Sequence, residues 1–186
     1  DRRMRRRHAL LPRFWLMTDE RMDDALLPSL PHMPKGKAGI VFRHYRTPAA
    51  ARRALYEKVR LIARRHRLMI LLAGTPACAR AWRADGWHGS GRDTGPIHSM
   101  AVHNKHELTA AIRARADLIF VSPIFPTRSH PGTATLGPLS FGLLARDAPM
   151  PVIALGGMTA ARWRRLKSMG AYGYAAIDAW TTTQLS

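Results

Sequence analysis

The chain has 186 residues, 46% of them hydrophobic, with one cysteine and a formal net charge of +18. That length and apolar content suit one globular domain with a substantial core and exclude global disorder. A single cysteine, Cys78, excludes an intramolecular disulfide framework and a cysteine-rich zinc site, and no apolar run reaches the roughly 18 residues of a membrane span.

Residues 1–13 hold six arginines against one aspartate and read as a basic N-terminal tail. Residues 14–180 read as one domain and 181–186 as a C-terminal tail. The remaining positive charge is spread over predicted helices. A basic surface attracts nucleic acid without sequence preference. No aromatic-bearing RNA-binding strand or zinc finger accompanies it, however, and arginine-rich coding accounts for the composition more simply. Nucleic acid is therefore not an expected partner. A cytoplasmic protein off the membrane is expected, and a homodimer is compatible with the sequence.

In chain order, Phe14–Asp19 reads as a buried strand. Met22–Leu30 can hold a short helix that Pro28, Pro31 and Pro34 cut off. Gly39–Tyr45 is a second strand, and Thr47-Pro48 opens a helix with Ala51, Leu55, Val59 and Ile62 on one face. Leu68–Leu72 is a third strand, after which Thr75 and Pro76 cap a helix reaching Ala84. Gly86–Gly91 is a weak, glycine-crowded strand, and the helix expected after it is nearly missing. Ile97–His103 is a strand; Lys105–Ala116 is a helix with Leu108, Ala111 and Ile112 inward. Asp117–Ser122 is a strand running into a loop, residues 123–132, that is longer than a connection needs and so reads as functional. Leu139–Ala145 is a short helix.

The most informative stretch is Pro151–Thr159. A β-branched apolar run ends in Gly156-Gly157, and Thr159 then caps a helix reaching Met169, with Trp163, Leu166 and Met169 inward and Gly170 as its stop. Gly173–Ile177 is the next strand. A diglycine turn at a strand's C-terminal end, feeding a helix, can cup a phosphate with its backbone N–H groups. Eight strands alternating with helices predict an α/β fold closed into a (β/α)₈ TIM barrel. It is trimmed: the first helix is short, the fourth nearly absent and the eighth missing. An open doubly wound sheet is the alternative, weakened by the lack of a G-x-G-x-x-G after the first strand.

Laid out this way, the chain resembles the thiamine-phosphate synthase and thiazole tautomerase (TenI) family. Leu16-Met17-Thr18-Asp19 is similar to the family's opening L-[VI]-T-D strand, and Asp85-Gly86-Trp87-His88 to its D-G-[VI]-H. Ser122–Thr127 resembles the G-P-[IV]-[FY]-P-T loop, Gly137-Pro138-Leu139 the helix lead-in, and Pro151–Thr159 the P-V-[VI]-A-I-G-G-[IM]-[TN] turn. The resemblance implies coupling of hydroxymethylpyrimidine pyrophosphate to a thiazole phosphate, with Mg²⁺ and cations on the departing pyrophosphate.

It also implies a phosphate cradle from Thr127, Gly156, Gly157, Ile177 and Asp178, although Asp178 stands where the family has Ser. On the pyrophosphate side the resemblance thins. Of the family's Q-x-R-x-K only Arg43 remains. It stands at the mouth end of strand two, where its guanidinium can fork onto phosphate oxygens, and is the leading candidate for anion binding. The metal-ligating N-D is Ala73-Gly74, and the strand-five Ser is Ala101. Asp93 aligns with the second metal ligand, and His130 replaces the loop lysine. The tautomerase branch uses a His near position 123, which here is Pro123, leaving His130 as the candidate general acid/base. The expected partner is a small phosphorylated heterocycle, bound by a coupling enzyme, a tautomerase or a non-catalytic regulatory barrel.

Overall fold

A computed structural model describes residues 11–93, 95–127, 132 and 134–177. Eight parallel strands pair in chain order and close: β1 Phe14–Met17, β2 Ala38–Phe42, β3 Met69–Ala73, β4 Gly86–His88, β5 Ile97–Val102, β6 Leu118–Val121, β7 Val152–Leu155 and β8 Ala171–Ala176. β1 pairs with β8 through Phe14 opposite Tyr174, so no open edge exists and the doubly wound alternative is excluded. The helices are α1 Leu26–Ser29, α2 Ala49–His66, α3 Pro76–Ala81, α4 Lys105–Arg113, α5 Gly137–Asp147 and α6 Ala160–Leu166.

Period-two alternation divides the strands' side chains between two sides of the sheet. Trp15, Met17, Val41, Leu71, Leu118, Phe120, Ile153 and Ala175 fill the barrel. Their neighbours, among them Leu16, Ile40, Phe42, Ile70 and Leu72 on one flank and Ile119, Val121, Val152 and Ala154 on the other, point outward under the helices. Trp15 is fully buried, and Gly39 makes room for it: a Cβ there would lie 2.5 Å from the indole.

Several expectations are corrected. The segment after β1 is not cut at Pro28. It runs as a 3₁₀ turn over Glu20–Ala25, then α1, then a second 3₁₀ turn over Leu30–His32. Pro28 lies in the first turn of α1, where its missing N–H costs nothing. α2 buries Tyr56, Val59 and Ala63, while Ala51 is exposed and Leu55 and Ile62 pack only at the margin. In α4, Ile112 is exposed rather than inward.

No described residue between β4 and β5 is helical. Trp87 and His98, outward on those two strands, stack instead at 3.8 Å with their planes 2° apart. His98 Nε2 pairs with the Gly89 carbonyl at 2.9 Å, and Gly89 and Gly91 pass close over the indole. Two flat rings under a glycine loop thus cover the sheet where a helix would have packed. Whether an eighth helix is missing falls on residues 178–186, outside the described residues.

Candidate functional site

The mouth of the barrel is the end where the strands finish and the helices begin, and there the sequence places its chemistry. Thr18, just past β1, is fully buried. Its hydroxyl oxygen accepts the Arg43 N–H at 3.0 Å and lies 2.9 Å from His44 Nδ1. His44 stacks on Phe42, and burial pushes its pKa down.

Arg43 does stand at the mouth beyond β2, yet its guanidinium is engaged. Nε donates to the Thr18 carbonyl at 2.8 Å, and one Nη lies 3.5 Å from Asp19. Asp19 is gripped from the other side by Arg21 at 2.7 Å, and that hydrogen bond is the main cause of a carboxyl pKa lowered to about 2. Arg52, which sequence reading passed over, reaches from α2 to the carbonyls of Arg43 (2.9 Å) and Ala73 (2.7 Å) and ties the ends of β2 and β3 together. Arginine four residues into a helix whose preceding strand has just ended is the signal that could have found it.

His88, at the end of β4, is buried inside the barrel with its ring edge-on to Phe120. Ser99 on β5 donates to the Trp87 carbonyl and sits 2.9 Å from His88 Nδ1, which makes Nδ1–H the donor and leaves the lone pair on Nε2. Burial, reinforced by the charge of Arg43, lowers the His88 pKa to about 4. It is a neutral acceptor near pH 7 and a weak base.

On the opposite side of the mouth the diglycine turn is locked to the loop after β6. Ile124 donates to the Leu155 carbonyl at 3.0 Å and Phe125 to that of Gly156 at 3.2 Å. Both glycines have positive φ, 94° and 59°. A Cβ on Gly156 would lie 2.8 Å from the Pro123 backbone, and one on Gly157 would lie 2.6 Å from the Pro126 carbonyl. Glycine is thus required twice, for conformation and for space. The N–H groups of Gly157 and Met158 meet no backbone acceptor among the described residues. Thr159 caps α6 by accepting the Arg162 N–H, as expected. Arg162 itself folds back, donating to the Gly157 carbonyl and lying 4.6 Å from the centre of the Phe125 ring. The sequence placed this arginine on the outer side of its helix; it instead sets a positive charge beside the turn.

Thr127 and Ile177 are half-buried, at the end of the β6 loop and just past β8, so the described part of the predicted cradle shares one side of the mouth. His130 and Asp178 lie outside the described residues. Asp93 is not arranged as a metal ligand. It pairs with Arg80 at 2.8 Å and accepts the Gly95 N–H at 2.7 Å. Ala73 and Gly74 supply no second carboxylate, and the described residues contain no cluster of three metal-ligating side chains. This donor set does not fit Mg²⁺, which needs one or two free carboxylates beside substrate phosphates.

The family sequence profile described as thiamine monophosphate synthase matches residues 14–180. A chain of Aquifex aeolicus that carries the name thiamine-phosphate synthase 2 is 29% identical over 185 residues, covering 90% of this chain and 97% of the relative. The thiamine-phosphate synthase of Chloroflexus aurantiacus is 28% identical over 156 residues, covering 76% and 72%. The solved thiamine phosphate pyrophosphorylase of Pyrococcus furiosus shares the fold with a TM-score of 0.72 at 19% identity, over 92% of this chain and 87% of that one. With the profile spanning the whole barrel, this chain belongs to the thiamine monophosphate synthase family.

Proposed function

We propose that this protein binds a small phosphorylated heterocycle, thiazole phosphate or thiamine phosphate, at the barrel mouth, and couples it to hydroxymethylpyrimidine pyrophosphate slowly or not at all. The observation that carries the reading is the diglycine turn after β7. Two positive-φ glycines wedge against Pro123–Pro126, with the Gly157 and Met158 N–H groups directed to no backbone acceptor. Three phosphate oxygens suit such a cup, and Arg162 adds charge at its rim.

Coupling asks for more. The thiazole nitrogen attacks the pyrimidine methylene carbon as its bond to pyrophosphate breaks, and negative charge collects on the leaving group. Of the cations the family pattern places on that side Arg43 remains, and Asp19 and the Thr18 carbonyl already hold it. Asp93 is spent on Arg80. The mouth therefore keeps the acceptor half of the reaction and lacks most of the leaving-group half.

The test is thiamine phosphate formation from the two heterocycles, with and without Mg²⁺. The expected rate lies far below the ~10 s⁻¹ of a typical enzyme and does not respond to Asp93→Ala. Turnover near that value, dependent on Mg²⁺ and abolished by Asp93→Ala, would overturn the reading.

A further inference from the structure

The positive charge is not spread evenly over the barrel. On the end opposite the mouth, α2, α3 and α4 each finish in the same turn. Leu68 donates to Ala63, Ala84 to Ala79 and Ala116 to Ala111, each N–H reaching back five residues. The left-handed position in each turn is an arginine: Arg67 (φ 54°), Arg83 (φ 55°) and Arg115 (φ 56°). Glycine or asparagine ordinarily takes that position. Attraction to the helix dipole explains cations in a helix's last turn, such as Arg64 and Arg65 or Arg164 and Arg165. It does not explain three arginines on a backbone conformation that disfavours them.

Arg67, Arg83 and Arg115 are exposed and in no ion pair with a described residue. The carboxylates near this end make other contacts: Asp85 accepts the Ile70 N–H, Asp117 the His98 N–H, and Asp147 pairs with Arg146 and Lys105. The described chain enters the barrel at this end, where Leu11 is buried and its carbonyl accepts the Tyr172 hydroxyl at 2.7 Å.

We propose that this end of the barrel is a docking face for the phosphodiester backbone of duplex nucleic acid. Composition alone favoured coding bias; the one-sided placement of unpaired arginines on rigid turns is what changes the weighing. Guanidinium groups at fixed positions suit repeated phosphates, which they can engage through two N–H groups at once. Toward this end the described residues expose Leu61, Ile112 and Leu143 singly, one on each of three helices, which is little to insert into a bilayer. The large exposed aromatic among the described residues, Tyr45, stands at the mouth end, so the described part of this face offers a base no such stacking platform, which favours a duplex over a single strand.

The experiment measures fluorescence anisotropy of the full chain with a labelled 20-base-pair DNA of arbitrary sequence, a duplex RNA and a single strand, from 50 to 200 mM KCl. Duplex binding that weakens steeply with salt is expected. The combined Arg67→Asn, Arg83→Asn, Arg115→Asn variant keeps its turns, since asparagine accepts the left-handed conformation. It should bind at least tenfold more weakly, with a log–log salt slope shallower by about 3, roughly 1 per lost phosphate contact. A control removing two unpaired charges at the mouth end (Arg46→Gln, Arg92→Gln) should change the slope by less than about 1. No duplex binding at 50 mM KCl, an equal loss in the control, or tighter binding to phosphatidylserine vesicles than to duplex would each overturn the proposal. Thiazole phosphate should not compete, so failure here leaves the reading of the mouth untouched.

Discussion

The two ends of this barrel treat arginine in opposite ways. At the mouth nearly every described arginine is tied down: Arg21 and Arg43 on Asp19, Arg52 on two strand-end carbonyls, Arg162 on Gly157. At the far end Arg67, Arg83 and Arg115 stand on strained turns without a carboxylate. The mouth spends these four cations on holding its loops and strand ends in place. At the far end Arg146 pairs with Asp147, but Arg67, Arg83 and Arg115 have no such partner among the described residues, and their charge remains available to solvent or to a partner.

The sharpest way to break the locked mouth is Gly156→Val. A β-branched residue at φ 94°, with its Cβ 2.8 Å from the Pro123 backbone, should cost about 4 kcal/mol in urea unfolding. A loss below about 1 kcal/mol would mean the β6 loop is not held as described.

Acid comes next. His88 has its folded pKa lowered from 6.5 to about 4, so the unfolded chain takes up a proton first as pH falls. Its contribution to stability is complete above pH 6.5 and is lost on descending to about 4. The full loss is roughly 3 kcal/mol. His88→Gln should flatten that part of the pH–stability curve, while His44 and His98, shifted in the same direction, keep some slope.

Thr18→Val removes the acceptor of the Arg43 N–H and the partner of His44, at a cost of about 1–3 kcal/mol. Chemical-shift changes should reach Arg43, 25 residues away in sequence, and their confinement to Thr18 and its chain neighbours would contradict the network. The smallest effect belongs to the far end. Replacing Arg67, Arg83 and Arg115 with Asn should raise stability, by less than about 1 kcal/mol each, through relief of left-handed strain. A lower melting temperature would show that those side chains hold the fold together.

Much of the barrel is legible locally. β-branched runs, the Thr75 and Thr159 caps and the Gly170 stop each speak through neighbours within four residues, and each stands where expected. On α2 the aliphatic pattern locates Val59 correctly but not Tyr56, half polar by type, which is fully buried beside it and turns the inward face away from Ala51. Arg43 was placed at the right spot with the wrong freedom. Its partners Thr18 and Asp19 lie on another strand's end, and no local pattern announces a contact across 24 residues. Arg162 was missed for a related reason: helical periodicity points it outward, and only the turn into α6 lets it fold back to Gly157.

Isothermal titration of thiazole phosphate into the wild-type chain and into Gly157→Ala, each with and without Mg²⁺, tests the phosphate cup most directly. One site per chain is predicted, with the same affinity whether or not the metal is present. Binding should weaken at least tenfold in Gly157→Ala, whose Cβ would meet the Pro126 carbonyl at 2.6 Å. No heat from the wild type, or binding that Gly157→Ala leaves unchanged, would contradict the account.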